Sequence, residues 1–167
     1  MIYAGQEYGE CGMDKEGFSG HDGRTTIFDY WSVDTLVRAA NRRLTKAERA
    51  LKDIYNKVCQ IAASEKAITE GVSFDLMYVN GQYHQQYAFI RKAGSEVLLI
   101  VANFADMSQS VHVTIPGHAF DYLNMKEKSV SASDLLSDET LKLSLKRDES
   151  VLVNVQANSA VVLKFKA

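Results

Sequence analysis

A length of 167 residues fits one domain, or one domain with an appendage, and excludes a complete eight-stranded α/β barrel, which takes about 250 residues. Apolar residues at 46% and charged residues at 24% describe an ordinary globular chain, so a packed core is expected rather than disorder or a fibrous repeat. A formal net charge of -2 leaves no basic surplus to release counterions from a phosphate backbone, which argues against a nucleic-acid partner.

The chain begins with a short apolar segment, Ile2-Tyr3-Ala4, and then carries glycines at 5, 9, 12, 17, 20 and 23. Glycine at that density predicts irregular backbone with turns. A loop this long belongs either to a functional site or to a scaffold it has lost. It holds Glu7, Glu10, Asp14, Glu16, Asp22 and Asp29 against Lys15 and Arg24. A carboxylate pair that cleaves a glycosidic bond with retention must be held about 5 to 5.5 Å apart by rigid elements on both sides of the sugar. One short strand supplies no second wall, so these carboxylates are expected to be solvated. His21, beside Asp22 and Arg24, is open to a ligand-contact role or a structural one.

The four histidines, at 21, 84, 112 and 118, form no i, i+4 pair and have no cysteine partner, so no metal site is expected. Cys11 and Cys59 make no disulfide framework and are expected to be buried thiols. No nucleophile elbow, phosphate loop or dinucleotide fingerprint occurs, and no cofactor is implied.

Two helices are predicted next. The first runs from about Val33 to Ala40. Thr45-Lys46-Ala47-Glu48 has the form of a capping box and opens the second, which should end near Ala63. Ala47, Leu51, Ile54, Val58 and Ile61, widened by Ala50, Tyr55 and Ala62, predict one broad buried face. Ser64 to Thr69 can add a further turn.

Beyond Gly71 the period changes to two. Val111, Val113 and Ile115 alternate with His112 and Thr114, which places His112 on the surface. Leu141, Leu143 and Leu145 alternate with Lys142 and Ser144, and Val161, Leu163 and Phe165 follow the same rule. Asn80-Gly81 and Ala93-Gly94 suit two-residue hairpins, and Pro116-Gly117 and Ser137-Asp138 suit further turns. Seven or eight such strands predict an antiparallel sandwich with a continuous core.

Val97 to Ala102 breaks the alternation with six apolar residues in a row, which requires a cover on the second face of that strand. A loop, another domain or the helix starting at Thr45 could provide it. The run is also far short of the roughly 20 residues of a membrane helix, so no membrane is expected. The N-terminus has no basic segment followed by an apolar core of signal-peptide length, and the compartment stays unknown.

Ile2-Tyr3-Ala4-Gly5-Gln6-Glu7-Tyr8-Gly9, set beside Asp22-Gly23-Arg24-Thr25-Thr26-Ile27-Phe28-Asp29-Tyr30-Trp31, resembles the end of the catalytic barrel in the α-amylase family of glycoside hydrolases. Leu51 to Glu70 resembles that family's last barrel helix and exit. Gln86 to Lys92, then Val97 to Phe104, Ser133-Asp134-Leu135-Leu136 and the closing Ser159 to Leu163 resemble its C-terminal sandwich. The resemblance implies a mainly β fold, an antiparallel Greek-key β-sandwich at 71–167, preceded at 1–70 by the α-helical remnant of a TIM barrel with its active-site-face loop. It implies a parent that acts on α-glucan or maltooligosaccharide with retention, with the rest of the barrel as partner. The family's catalytic carboxylates lie on earlier barrel strands, so no catalytic residue is expected in this chain.

Glu7 and Arg24 are candidates for an ion pair pinning the loop, with His21 and Asp22 displayed toward the sugar. The alternative is a non-catalytic glycan-binding or interaction module, in which Tyr78, Tyr83, Tyr87 or Tyr122 would stack on sugars. With Trp31 as the single tryptophan, outside the sandwich, core or interdomain packing is the expected role of these rings.

Overall fold

The computed structural model describes residues 1–10 and 34–167. Contacts divide the chain into two units, Met1–Gln60 and Ile61–Ala167.

In the first unit, residues 1–4 form no strand, and a 3-10 turn spans Gln6–Tyr8. A strand is stabilised by its ladder, and Ile2 and Tyr3 are exposed. Helix α1 spans Asp34–Ala40. Helix α2, Lys46–Ser64, starts where the capping box requires. The Glu48 amide donates to Thr45 Oγ1 at 3.2 Å, and the Thr45 amide donates to Glu48 Oε2 at 2.9 Å.

The broad buried face expected of α2 is not there. No residue of the helix is buried, and Ile54 and Val58 are 58% and 47% exposed. Only Leu51, Tyr55 and Ile61 of the predicted stripe are half-covered. Periodicity fixes which face is apolar, whereas burial also needs a facing surface. Cys59, expected to be buried, is an exposed free thiol for the same reason, and Cys11 lies outside the described residues.

The second unit carries eight strands: β1 Val72–Asp75, β2 Gln86–Ala93, β3 Glu96–Asn103, β4 Gln109–Ile115, β5 Lys128–Asp134, β6 Thr140–Leu145, β7 Glu149–Val155 and β8 Ser159–Lys166. Their order is β1-β2-β3-β8-β5-β6 in one sheet and β4-β7 in the other, with every pair antiparallel. The core lies between the sheets. Ala88, Ile90, Val97, Leu99 and Val101 face Val111, Val113, Ile115, Val151, Val153 and Val155, and Leu143, Leu145, Leu163 and Phe165 extend the same cluster. These are the inward positions of the period-two pattern, and the mainly β, antiparallel sandwich is the observed fold.

Turn chemistry is obeyed where the chain only has to reverse. Gly94 (φ 55°) makes the β2–β3 hairpin, and Asp138, Asp148 and Asn158 take left-handed φ between later strands, a conformation that Asp and Asn tolerate well. Two expected turns differ. Pro116-Gly117 opens helix α4, Gly117–Tyr122, whose Phe120 is fully buried in the core. Asn80-Gly81 makes no two-residue hairpin, because β1 and β2 are joined by residues 76–85. Asn80 is instead fully buried, donating to Leu76 O (2.7 Å) and Thr114 O (3.1 Å) and accepting from the Thr114 amide (2.9 Å).

On the outer face of the run Val97 to Ala102, helix α3, Lys66–Thr69, packs on β2 and β3 where Leu98 is buried, while Ile100 and Ala102 are half-buried. Leu98 and Ala67 are fully buried yet lie outside the core cluster. Arg91 holds α3 down, donating to Ala67 O (3.0 Å), Ile68 O (2.7 Å) and Gly71 O (2.8 Å). Beside it Lys164 bridges Glu65 (2.5 Å) and Glu96 (3.2 Å).

Candidate functional site

Of the site residues expected from the sequence, His21, Asp22 and Arg24 lie outside the described residues, as do Asp14, Glu16, Asp29 and Trp31. Glu7 is half-buried in the Gln6–Tyr8 turn. The other described acid of the loop, Glu10, is committed to α1. Its carboxylate accepts from the Thr35 amide at 2.9 Å and from Thr35 Oγ1 at 2.5 Å, which supplies the acceptor that a helix N-terminus lacks. Gly5 (φ 88°) lets the chain turn back here, because a Cβ on it would stand 2.7 Å from Glu10 Cβ.

A cleft in this unit is lined by Tyr8, Glu10, Thr35, Arg38, Glu48 and Leu51, among others. Arg38 grips Glu48 through Nε and Nη2 at 3.0 and 2.6 Å. That pairing raises the guanidinium and, with the Thr45 amide, lowers the carboxyl. Glu48 is therefore held ionised by fixed donors, and the Glu10 carboxylate is occupied by the first turn of α1. Their arrangement is structural. Among the described residues no group of three or more acidic, histidine or cysteine side chains could hold a metal.

The sandwich unit offers a different kind of site. Where β1 meets α4, four rings converge. Phe74 is 5.4 Å from His118, 5.8 Å from Tyr122 and 6.3 Å from Tyr78, and Tyr78 is 5.5 Å from His118, all centroid to centroid. Phe74 points inward and packs on the core, forming a floor. Tyr78 and Tyr122 stand 57% and 62% exposed above it, and the Tyr78 hydroxyl hydrogen-bonds His118 Nε2. Desolvation first, then the charges of Asp75 and Asp148, raise the Tyr78 phenol, which stays neutral.

Helix α4 is braced from the β6–β7 turn. Arg147 donates to Gly117 O at 2.9 Å and to Asp121 at 2.6 Å, and its guanidinium lies 5.5 Å over the Phe120 ring. Asp148 accepts from the Gly117 amide at 2.9 Å.

The tyrosines thus divide. Tyr83 has the expected packing role. It is half-buried against the core, burial pushes its phenol up to about 12, and its hydroxyl donates to His112 O at 2.8 Å. Tyr87 stands on the outer face of the large sheet beside Phe89. Tyr78 and Tyr122 are not packed in the sandwich core, so the core half of the expected packing does not hold for them, whereas their exposure is compatible with the interdomain half. Sequence reasoning missed their convergence, since Phe74 and His118 are 44 positions apart and no local pattern joins them.

A second opening, lined by Glu96, Lys128, Ser131, Lys164 and Lys166 among others, lies where β5 and β8 diverge after pairing only at Ser133 and Asp134. Its best-placed cation, Lys164, is already bridged by Glu65 and Glu96, and the Glu65 bond raises its pKa.

Comparisons with known proteins agree with this geometry. A family model described as the alpha amylase C-terminal all-beta domain matches residues 78–166. The maltogenic alpha-amylase AmyB from Thermotoga neapolitana aligns with 99% of this chain over 32% of its own, at 13% identity and a TM-score of 0.63. AmyP, solved in complex with maltose, aligns with 93% over 29% of its own, at 14% identity and a TM-score of 0.55. An Anoxybacillus alpha-amylase aligns with 75% over 25% of its own, at 20% identity and a TM-score of 0.51. The chain therefore spans between a quarter and a third of the length of these structures. Identities this low establish a shared fold alone. No curated protein matches the sequence.

Proposed function

The chain belongs to the family of alpha amylase C-terminal all-beta domains, and from that premise we propose that it is the C-terminal portion of an α-glucan-acting glycoside hydrolase. In this reading residues 1–70 are the end of a catalytic barrel with its last active-site-face loop, and residues 71–167 are the sandwich that follows it. The observation that carries the reading is the order of parts. A family match over 78–166 is preceded by a glycine-rich segment and a capped amphipathic helix, and one amylase structure aligns with 99% of the whole.

The catalytic carboxylates would reside in the rest of the barrel, and α-glucan or maltooligosaccharide would be the parent's substrate. Within the loop, Glu7 and Arg24 would pair, and His21 and Asp22 would face the sugar. A guanidinium gripping a carboxylate through two parallel hydrogen bonds is the chemistry behind that pairing.

Two experiments test the reading. The upstream reading frame should encode three carboxylates at barrel strand ends, and the purified chain should release no reducing sugar from starch. Enzyme-dependent release by the chain alone, or an upstream frame with no barrel, overturns it. A second reading, a glycan-binding role for the sandwich itself, is favoured by the exposed rings of Tyr78 and Tyr122.

A further inference from the structure

We infer that the opening between β5 and β8 is a docking groove for a short extended segment of a partner polypeptide, acidic and apolar in alternation, which adds main-chain hydrogen bonds to the two strand edges exposed there.

β5 and β8 are neighbours in the large sheet but pair only at Ser133–Lys164 and Asp134–Leu163. In an antiparallel ladder the N–H and C=O of one residue point to the same side, and successive residues alternate sides. The Ala167 amide donates to Ser95 O at 2.8 Å, on the β3 side, so the peptide groups of Lys166 point toward β5. The Asp134 amide donates to Glu139 O at 2.8 Å, on the β6 side, so those of Ser131 and Ser129 point toward β8. Continued by one step, the register would join Ser131 to Lys166, and that pair is absent. The peptide groups of Ser129, Ser131 and Lys166 therefore face the opening with no ladder partner. A strand edge in this state is a template for another extended chain.

The opening has room for one. Its volume is about 500 Å³, within the range of pockets that hold ligands. Val130 and Phe165, which pack in or against the core, line its floor. Because β5 and β8 close on each other at Ser133, the incoming segment enters from the Lys166 end. It covers the length of Ser129 to Ser131, about three residues at roughly 3.3 Å each. Side chains alternate across a strand, so its inward residues rest on Val130 and Phe165 and its outward ones meet the side chains of the outer sheet face.

Those side chains set the sign of the segment. Lys128, Lys164 and Lys166 line the opening, and Lys142 stands beside Ser131 in the β5–β6 register. Against these four lysines stand Glu65, Glu96 and the terminal carboxylate that follows Lys166 in the 167-residue chain. Glu65 and Glu96 are both bonded to Lys164, at 2.5 and 3.2 Å, whereas Lys128, Lys142 and Lys166 make no ion pair with any described residue. Next along the chain, Lys126 and Glu127 offset each other, and Lys146 is paired with Glu149 at 3.1 Å. Lysine on an open edge discourages chance pairing with other strands. An acidic segment turns the same charges into partners, which gives the groove its specificity.

The test uses the full 167-residue chain, isotope-labelled for NMR and titrated with the peptide acetyl-Glu-Val-Glu-Val-Glu-amide. Saturable shifts centred on the amides of Ser129, Ser131 and Lys166 are expected. Two control peptides separate charge from strand pairing. The peptide with Lys in place of Glu should bind about tenfold more weakly, and so should the acidic peptide with an N-methylated backbone, which keeps its charge but has lost its donors. Ser131→Pro removes an amide that faces the opening and leaves the β5–β6 ladder intact, since that amide points away from β6, and it should weaken the acidic peptide about tenfold. Lys166→Glu, at an exposed position, should also weaken the acidic peptide, strengthen the basic one and keep the melting curve. If Ser131→Pro fails to fold, Lys166→Glu and the shift map of the unsubstituted chain decide the matter by themselves.

Absence of saturable binding at millimolar peptide, shifts mapped away from Ser129, Ser131 and Lys166, or equal binding of the N-methylated peptide overturns the groove as a strand-pairing site. Equal binding of the basic peptide overturns the acidic assignment. Concentration-dependent self-association that Ser131→Pro abolishes would make the occupant a second copy of this chain and overturn the partner segment.

Discussion

Asn80 makes three hydrogen bonds from a fully buried position, to Leu76 O and to both the carbonyl and the amide of Thr114. It ties the segment between β1 and β2 to β4 in the opposite sheet. In sequence, Asn80-Gly81 is the strongest short signal for a hairpin, and the same amide that suits a tight turn suits this tertiary clamp, so the residue alone does not tell the two apart. Asn80→Ala should destabilise the chain by about 2 to 3 kcal/mol, since it strands buried backbone groups without partners. Urea denaturation measures this, and a shift below about 0.5 kcal/mol, the ordinary surface effect, would mean that the clamp is dispensable.

A second residue-scale expectation concerns Glu96. Burial pushes its carboxyl up, but the Ala67 amide at 2.8 Å and the Lys164 ammonium outweigh that and hold it below the usual range. A carboxyl whose folded value is depressed contributes stability that is complete above the unfolded value of about 4.3 and is lost as pH falls through the folded one. Stability should therefore decline on acidification below about pH 4.3, and Glu96→Gln should flatten that decline. Identical acid profiles for the two proteins, compared by urea midpoints at neutral and acid pH, would remove Glu96 as its source.

At the scale of elements, alternation was enough to place strands, because inward and outward positions differ by one residue and β4, β6 and β7 obey that rule closely. The apolar run at Val97 demanded a cover, which exists over Leu98. What the sequence could not supply was the identity of the cover, since α3 is a single turn with too few residues for a period. Its hold depends on Arg91 and Glu96, which come from the strands beneath it.

A chain beginning at residue 61 should accordingly unfold in one cooperative transition at nearly the stability of the sandwich in the full protein. Beginning at residue 71 removes α3, uncovers Leu98 and takes from Arg91 the carbonyls of Ala67 and Ile68. Exposure of a leucine alone costs about 1.5 to 3 kcal/mol, so the shorter chain should melt well below the longer one. Equal melting temperatures would show that α3 is an ornament on the sheet.

For the molecule as a whole, the two units differ in how much they bury. Every apolar residue of the core cluster lies between Leu76 and Phe165, whereas among the described residues of Met1–Gln60 no apolar side chain is buried. The sequence showed the sandwich because a core needs pattern, and pattern is local. It did not show the ring cluster, because Phe74, Tyr78, His118 and Tyr122 meet only after β1 and α4 have been placed by the fold. Nor did it show that the α2 stripe would stay open, since amphipathicity names a face and not its partner.

The difference in burial has a kinetic consequence. Amides open locally with free energies from near zero up to the global value, according to how much apolar contact each opening must break. The α2 amides, behind Ile54 and Val58 that face water, should exchange with deuterium through low-energy openings. Those of β3, β4, β7 and β8 should exchange only on global unfolding. Hydrogen exchange resolved by NMR separates the two classes, and α2 protection equal to that of β3 would mean that the helix is stabilised by the cooperative core and that the first unit is not the independently opening part of the chain.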